Sequence, residues 1–351
     1  MTLDHAVALS LLEDLSRVNL TERLKNDPGL VEQAVSLLGQ ARAARTRAER
    51  AAIQVIAWND RNFPTSLATL TDLPPALWFQ GELATAQAPA IAIVGSRAAS
   101  AVAIETASRL AADVAAAGIT VVSGLARGVD SVAHRAALRT GRTIAVLGSG
   151  LDCVYPAEHA PLAKEIARTG LVLSEFPPGA PPLPHHFPMR NRLISGLAQG
   201  VVVIEASEKS GSLITASCAL EQGRDVMVVP GNVLSGRNTG GHALLRDGAK
   251  IVENADDIVR ELGWSPVYAA TDESHINNCR GAVSGDPLIQ EMTPGHPYDV
   301  DELSKLSGSN QGNCYPGCSI SSSADLFDAQ VVVVSCERSE RVSVIGKLTG
   351  T

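Results

Sequence analysis

Residues 91–118 read IAIVGSRAASAVAIETASRLAADVAAAG, and their pattern decides the fold. IAIVG (91–95) is a near-continuous apolar run, the mark of a strand buried on both faces. Gly95-Ser96-Arg97 ends it, and a helical stretch follows at once. The same unit recurs downstream. ITVVSG (119–124) precedes helical VDSVAHRAALRTG, and TIAVLGSG (143–150) precedes PLAKEIARTG. LVLSEF (171–176) precedes a Pro-rich loop and then NRLISGLAQG. VVVIEA (201–206) and DVMVVPG (225–231) close the series, with SLITASCALEQG between them. Six buried strands alternating with helices predict an α/β fold, a parallel sheet with helices on both faces and right-handed crossovers.

Outward from this block the patterns change. LLEDLSRVNLTERL and GLVEQAVSLLGQARAARTRAERAA carry apolar residues at helical spacing, so residues 1–52 read as a small helical N-terminal region. IQVIAW (53–58) reads as a strand at the start of a domain that runs to 264. Residues 265–287 are polar and turn-rich and read as a linker. In 288–351, PYDVDELSKLSG opens a small helical module, with Asp299 as cap and Val300, Leu303 and Leu306 on one face. VVVVSCERSERVSVIGKL reads as a hairpin.

Composition narrows the function. Hydrophobic residues make up 45% and charged residues 19% of 351, enough for a sizeable core. Aromatics are only 3%, so that core is built from aliphatic side chains. The formal net charge is -8, so a nucleic-acid site has to be a local basic patch. No apolar run reaches the ~20 residues of a membrane span. The N-terminus lacks the pattern of a signal peptide, and the expectation is a cytoplasmic protein. Cys153 and Cys218 read as reduced core residues, and the CxxxC at Cys314 and Cys318 lacks the partners of a zinc site. No metal and no cofactor is expected.

Ligands of an open parallel sheet bind beyond the carboxyl ends of its strands. There Gly95, Ser96 and Arg97 open a helix, offering free N–H groups, a hydroxyl and a bidentate phosphate donor. The second strand leads into Gly124 and Arg127, with Asp130 placed to cap the next helix and His134 read as packed. The fourth leads to Arg190, Asn191 and Arg192, read near a helix start, behind the unpartnered loop pair His185-His186. The fifth ends at Glu205 and leads to Lys209, Ser210, Gly211 and Ser212. This is phosphate-loop chemistry without the GxxxxGK[ST] spacing, which disfavours an ATPase. The first turn is not GxGxxG, and no acidic residue ends the second strand, which disfavours NAD and NADP. Basic turns at four strand ends suit a run of phosphates better than one small molecule.

The stretches IAIVGSRAAS, SGLARGVDSVAH, GSGLDCVYP, SEFPPG, FPMRNRLISGLAQG, VIEASEKSGSLITASCALEQGRDVMVVPGN and NTGGHALLRDGA, in that order, resemble the DprA (Smf) family of DNA-processing proteins of natural transformation. The likeness covers roughly 55–260. It implies an extended Rossmann-like domain that binds single-stranded DNA without catalysis, forms a homodimer, protects incoming strands and helps load RecA. The family's pocket implies roles for Ser96, Arg97 and Lys209, with the Arg190–Arg192 segment as a second element. Many members end in a winged helix. Here DVDELSKLSG resembles its start, but a Ser/Cys/Gly-rich stretch stands where the recognition helix belongs. The expectation is a remnant C-terminal module, with a reading-frame shift near Ser307–Asn310.

The second reading is a nucleotide-processing hydrolase, since the fold is similar to that of enzymes that cleave nucleoside monophosphates at the glycosidic bond. Their PGGxGTxxE pattern meets EKSGSLITASCALEQG here, without the paired glycines and with Glu221 as the candidate. For DNA, base stacking has few aromatics to use: Tyr155, Phe176 and Phe187 lie near the expected rim. Five cations at the site would give a log–log salt slope of up to roughly -3.5.

Overall fold

The computed structural model describes residues 2–12, 20–264, 318–322, 331–336 and 342–347. The linker at 265–287 and the helical module expected around 297–307 lie outside the described residues, as does the Ser307–Asn310 segment. Residues 1–269 form one compact unit and 270–351 another.

The first unit opens with four helices, α1 (Leu3–Ser10), α2 (Leu20–Asn26), α3 (Pro28–Ser36) and α4 (Leu38–Arg50). Strands β1 (Gln54–Ala57) and β2 (Ala76–Gly81) follow, with a short helix α5 (Thr65–Ala68) between them. The repeating block is β3 (Ala90–Val94), α6 (Ala101–Ala116), β4 (Thr120–Ser123), α7 (Val129–Thr140), β5 (Thr143–Val146), α8 (Ala160–Thr169), β6 (Leu171–Ser174) and α9 (His186–Leu197). It continues as β7 (Gly200–Val203), α10 (Gly211–Glu221), β8 (Asp225–Val228), α11 (Thr239–Arg246), β9 (Lys250–Ile251) and α12 (Ala255–Glu261).

The nine strands form one sheet in the order β1-β2-β6-β5-β4-β3-β7-β8-β9. From β6 to β9 every pairing is parallel, as the alternation predicts. The other edge departs from that reading. β2 pairs antiparallel with β6, setting Trp78 opposite Ser174, and β1 pairs antiparallel with β2. ALWFQG follows Pro74-Pro75, which disguises it as a loop, although Trp78 is completely buried. β9 has two residues, too few to show a period.

Alternate strand residues serve two cores, as the pleat requires. Ile91, Ile93, Val121, Val202 and Met227 pack with α6, α7 and α12. Ala92, Val94, Val122, Val201, Val203, Val226 and Val228 face α8, α9 and α10. Both faces are dry, so the strands read as continuous apolar runs rather than as alternation. The second core also takes in Val7, Leu9, Leu20, Leu30 and Ala41, so the N-terminal helices close over it. In the second unit, β10 (Cys318–Ser322), β11 (Val331–Cys336) and β12 (Val342–Lys347) form an antiparallel sheet. The expected hairpin is its β11–β12 pair.

Candidate nucleic-acid interface

Strand order reverses direction at β3, which has β4 on one side and β7 on the other. The crevice beyond the carboxyl ends of such a pair is the usual ligand position. Three turns meet there. Ser96 N donates to the carbonyl of Glu205 at 2.8 Å, tying the turn after β3 to the end of β7. The Glu205 carboxylate, 7% exposed, accepts from Ser100 N at 3.1 Å and from Ser100 Oγ at 2.6 Å. Ser100 in turn caps α6 by accepting from Ala103 N. Val129 N donates to Ser96 O at 3.3 Å, which brings in the turn after β4. That approach needs Gly128: its φ is 73°, and a Cβ there would sit 2.3 Å from Ser96 O.

Asp130 is not the cap of α7. That place belongs to Gly128, and the Asp130 side chain turns back instead to accept from Gly124 N and Ala126 N at 3.2 and 3.3 Å. Burial pushes the Asp130 carboxyl up, partly offset by Arg190. Arg190 is 3% exposed and donates through Nη1 to Gly124 O at 2.7 Å and to Val146 O. Burial holds its guanidinium down at about 10, with Asp130 acting in the opposite direction. His134 is fully buried beneath this pair, as its packed reading implied. The site thus rests on two buried, oppositely charged side chains whose hydrogen bonds to backbone fix the turn after β4 and the end of β5.

Above it lies a small cavity of about 60 Å³ lined by Arg97, Gly124, Ala126, Arg127, Tyr155, Pro156, Phe187 and Arg190. The Arg97 and Arg190 guanidinium carbons stand 5.5 and 6.0 Å from the Phe187 ring centroid, and Tyr155 stands 5.5 Å from it. Arg97 is exposed and has no carboxylate partner among the described residues. Arg127 is exposed and pairs with Glu158 at 2.6 Å. Such a site offers exposed cationic donors beside aromatic faces, the chemistry that receives a phosphate and a flat ring together.

The structure therefore brings Gly95, Ser96, Arg97, Gly124, Arg127 and Arg190 together, with Arg190 as a buried support rather than an open donor. Lys209 stands exposed one strand over, in the turn after β7. Ser210 caps α10, its Oγ lying 2.7 Å from Ser212 Oγ, and Asn191 Nδ2 donates to Gly211 O at 3.2 Å. Arg192 lies elsewhere. Its side chain is 7% exposed and is held by Glu175 at 2.5 Å and by Asp72 at 3.1 Å. The helix carrying these residues starts at His186, earlier than the sequence suggests, so Arg190, Asn191 and Arg192 fall on its buried inner turns. His186 is also not a loop residue, and it stacks on Phe176 at 3.9 Å. Glu221, the candidate of the hydrolase reading, is an exposed residue at the end of α10. It lines a separate cavity of about 550 Å³ with Arg192 and Asp72. Cys153 and Cys218 are half-buried rather than core residues.

Phe187 and Tyr155, read from the sequence near the rim, line the cavity, and Glu205, read as the end of the fifth strand, ties two of its turns together. Phe187 sits one helical turn before Arg190, and that i, i+3 spacing is a usable signal once the helix start is placed correctly. No helix among the described residues is long and apolar enough to cross a membrane.

Residues 54–263 match the family described as DNA recombination-mediator protein A. The DNA processing protein DprA of Streptococcus pneumoniae is 44% identical over 204 residues, 58% of this chain and 72% of that protein. Protein Smf of Escherichia coli is 46% identical over 202 residues, covering 57% of this chain and 54% of its own length. Among solved structures, DprA from Streptococcus pneumoniae superposes with a TM-score of 0.66 at 35% identity, covering 74% of this chain and 98% of that one. A structure described for the single-stranded DNA binding mode of DNA processing protein A from Helicobacter pylori gives 0.55 at 30% identity, over 60% of this chain and 95% of that one. With three fifths of its length matched, and with the turns that carry the likeness converging at one end of the sheet, the chain belongs to the DNA recombination-mediator protein A, or DprA/Smf, family.

Proposed function

We propose that this chain binds single-stranded DNA at the carboxyl ends of β3, β4 and β7, without catalysis, as a cytoplasmic mediator of recombination during natural transformation. The observation that carries the reading is the convergence of Arg97 and Arg127 on the Phe187 and Tyr155 rings. Arginine can hold a backbone phosphate with two parallel bonds, while an aromatic face accepts any base. A duplex buries its base faces, so this pairing of chemistries favours an unpaired strand. The chain's net charge of -8 supports a confined site over general adhesion to polyanions. Lys209 extends the cationic row along the same edge.

Anisotropy of labelled oligo-dT and of a matched duplex, at two salt concentrations, tests the reading. Wild type binds the single strand more tightly and loses affinity with salt, and Arg97→Ala/Lys209→Ala abolishes most of the binding. Equal affinity for duplex, or no binding by folded wild type, would sink it. Protection of the strand, homodimer formation and help in loading a RecA recombinase belong to the same proposal. Nuclease challenge, sedimentation and filament-assembly rates address them in turn.

A further inference from the structure

We propose that the loop Asn232–Arg237, through its exposed tip Val233-Leu234, contacts the bases of the strand whose phosphates reach the Ser96-Arg97 turn. The inference rests on the single-strand reading above. After β8 the chain forms a single 3-10 turn, Val233–Ser235. Asn232 Oδ1 accepts from Leu234 N at 2.8 Å, and Ser235 Oγ donates to Asn232 O at 2.8 Å. Arg237 N donates to Ser235 Oγ at 3.3 Å, and Gly236 makes the left-handed step between them at φ 66°. The loop is therefore pre-organised by its own hydrogen bonds, and both apolar side chains point away from it. Val233 is 74% exposed and Leu234 92%.

Isolated exposed apolar residues are ordinary. This pair differs in how it is anchored. Arg237 Nη1 donates to Ala98 O at 3.1 Å, the carbonyl next to Arg97, so the loop is fastened to the phosphate-receiving turn itself. At its far end Asn238, 2% exposed, accepts from Ala206 N and donates to Val229 O. Val102, 76% exposed, stands four residues past Ala98 in the first turn of α6. Between Pro230 and Arg246 there is no acidic residue, in a chain of net charge -8. The segment itself brings no carboxylate against a strand, whose apolar surfaces are the base faces. Aliphatic wedges against bases are an established alternative to aromatic stacking, and a chain with 3% aromatics has few rings to spare.

Apolar contact releases no counterions, so its loss has a signature distinct from loss of a cation. Oligo-dT anisotropy across a salt series compares wild type, Val233→Ser/Leu234→Ser, the apolar control Val233→Ile/Leu234→Met, and Arg97→Ala, with sedimentation run on each. The serine pair weakens binding about tenfold at every salt concentration with an unchanged slope, while the apolar control binds like wild type. If wild type binds and the serine pair matches it, the inference is overturned, and the tip is left for a protein partner. A serine pair that loses affinity together with a dimer also overturns it, by assigning the tip to self-association. Failure of wild type to bind at all sinks the underlying single-strand reading instead.

Discussion

Arg190 donates to the carbonyl oxygen of Gly124 at 2.7 Å, and a Cβ added at Gly124 would stand 2.6 Å from the Nη2 of that same guanidinium. The residue at 124 must be small because a buried cation occupies the space a side chain would need. Arg190 cannot simply swing aside, since it also donates to Val146 O and to Asn191 Oδ1. Gly124→Ala therefore overpacks a buried site, at about 1–3 kcal/mol. With ~2–4 °C per kcal/mol for a domain of this size, Tm falls by roughly 2–12 °C in calorimetry. An unchanged Tm would mean that the guanidinium relaxes freely and that the turn is not built around it.

Below this pair, His134 sets an acid limit. Its Nδ1 lies 2.7 Å from Thr143 Oγ1, whose one proton goes to Val121 O at 2.6 Å. An imidazole that donates from Nδ1 to this hydroxyl keeps Nε2 unprotonated, and Nε2 has no hydrogen-bond partner among the described residues. Burial, then the Arg190 charge, hold its pKa down at about 3. Unfolded, it takes a proton near pH 6.5, so the unfolded state binds that proton first. Stability from neutral His134 is complete above about pH 6.5 and is lost as pH falls toward 3, at ~1.4 kcal/mol per unit. About 2 kcal/mol should be gone by roughly pH 5. Asp130 and Glu175, whose carboxyls burial pushes up, act with the opposite sign. Urea melts of wild type against His134→Asn isolate the histidine: the variant lacks this slope. Parallel pH profiles would refute the assignment.

The sheet was legible because its strands are dry on both faces, and Ile91 with Ala92 is enough to show it. β2 was not, because two prolines precede it and its partner, β6, is ninety residues away in the chain. The turns carrying Gly95, Ser96, Arg97, Gly124 and Arg127 were legible from their place after strands. What a one-dimensional reading misjudged is depth. Arg190 and Arg192 look like a pair of open cations, but α9 starts at His186 and is buried on every side from Arg190 to Leu197, so both are enclosed although they project to opposite sides of the helix. The carboxylates that pair with Arg192, Glu175 and Asp72, and Asp130, whose charge acts on Arg190, come from three other places in the chain, and no local pattern announces them.

Arg192 should matter for stability and not for DNA. With Glu175 and Asp72 on either side, its charge is already neutralised. Arg192→Met strands the buried Glu175 carboxylate without a cation and costs about 3–5 kcal/mol. Pairing it with Glu175→Gln recovers part of that loss, since the stranded charge is removed as well. At a temperature where the single variant is still folded, its affinity for oligo-dT stays near wild type, while Arg97→Ala loses it. A tenfold loss of affinity in folded Arg192→Met would return this residue to the binding surface.

The salt response follows from which cations remain open. Burial of Arg190 and the ion pairs of Arg192 leave Arg97, Arg127 and Lys209 of the five basic residues read from the sequence. Three phosphate contacts on a single strand give a log–log slope of about -2, shallower than the roughly -3.5 of five. Arg127 has first to leave Glu158, which holds it at 2.6 Å on the exposed rim. Both groups are solvated, so this competition is weak and screened by salt, but its sign is fixed: the carboxylate opposes the phosphate. Glu158→Gln should raise affinity for oligo-dT a few-fold at low salt, and the gain should shrink as salt rises. In Arg127→Ala, the Glu158→Gln gain should fall to what removal of a bare negative charge gives. The same anisotropy titration measures all of these. If Glu158→Gln weakens binding, then Glu158 orients Arg127 toward the strand, and the pair acts as one unit in holding the phosphate.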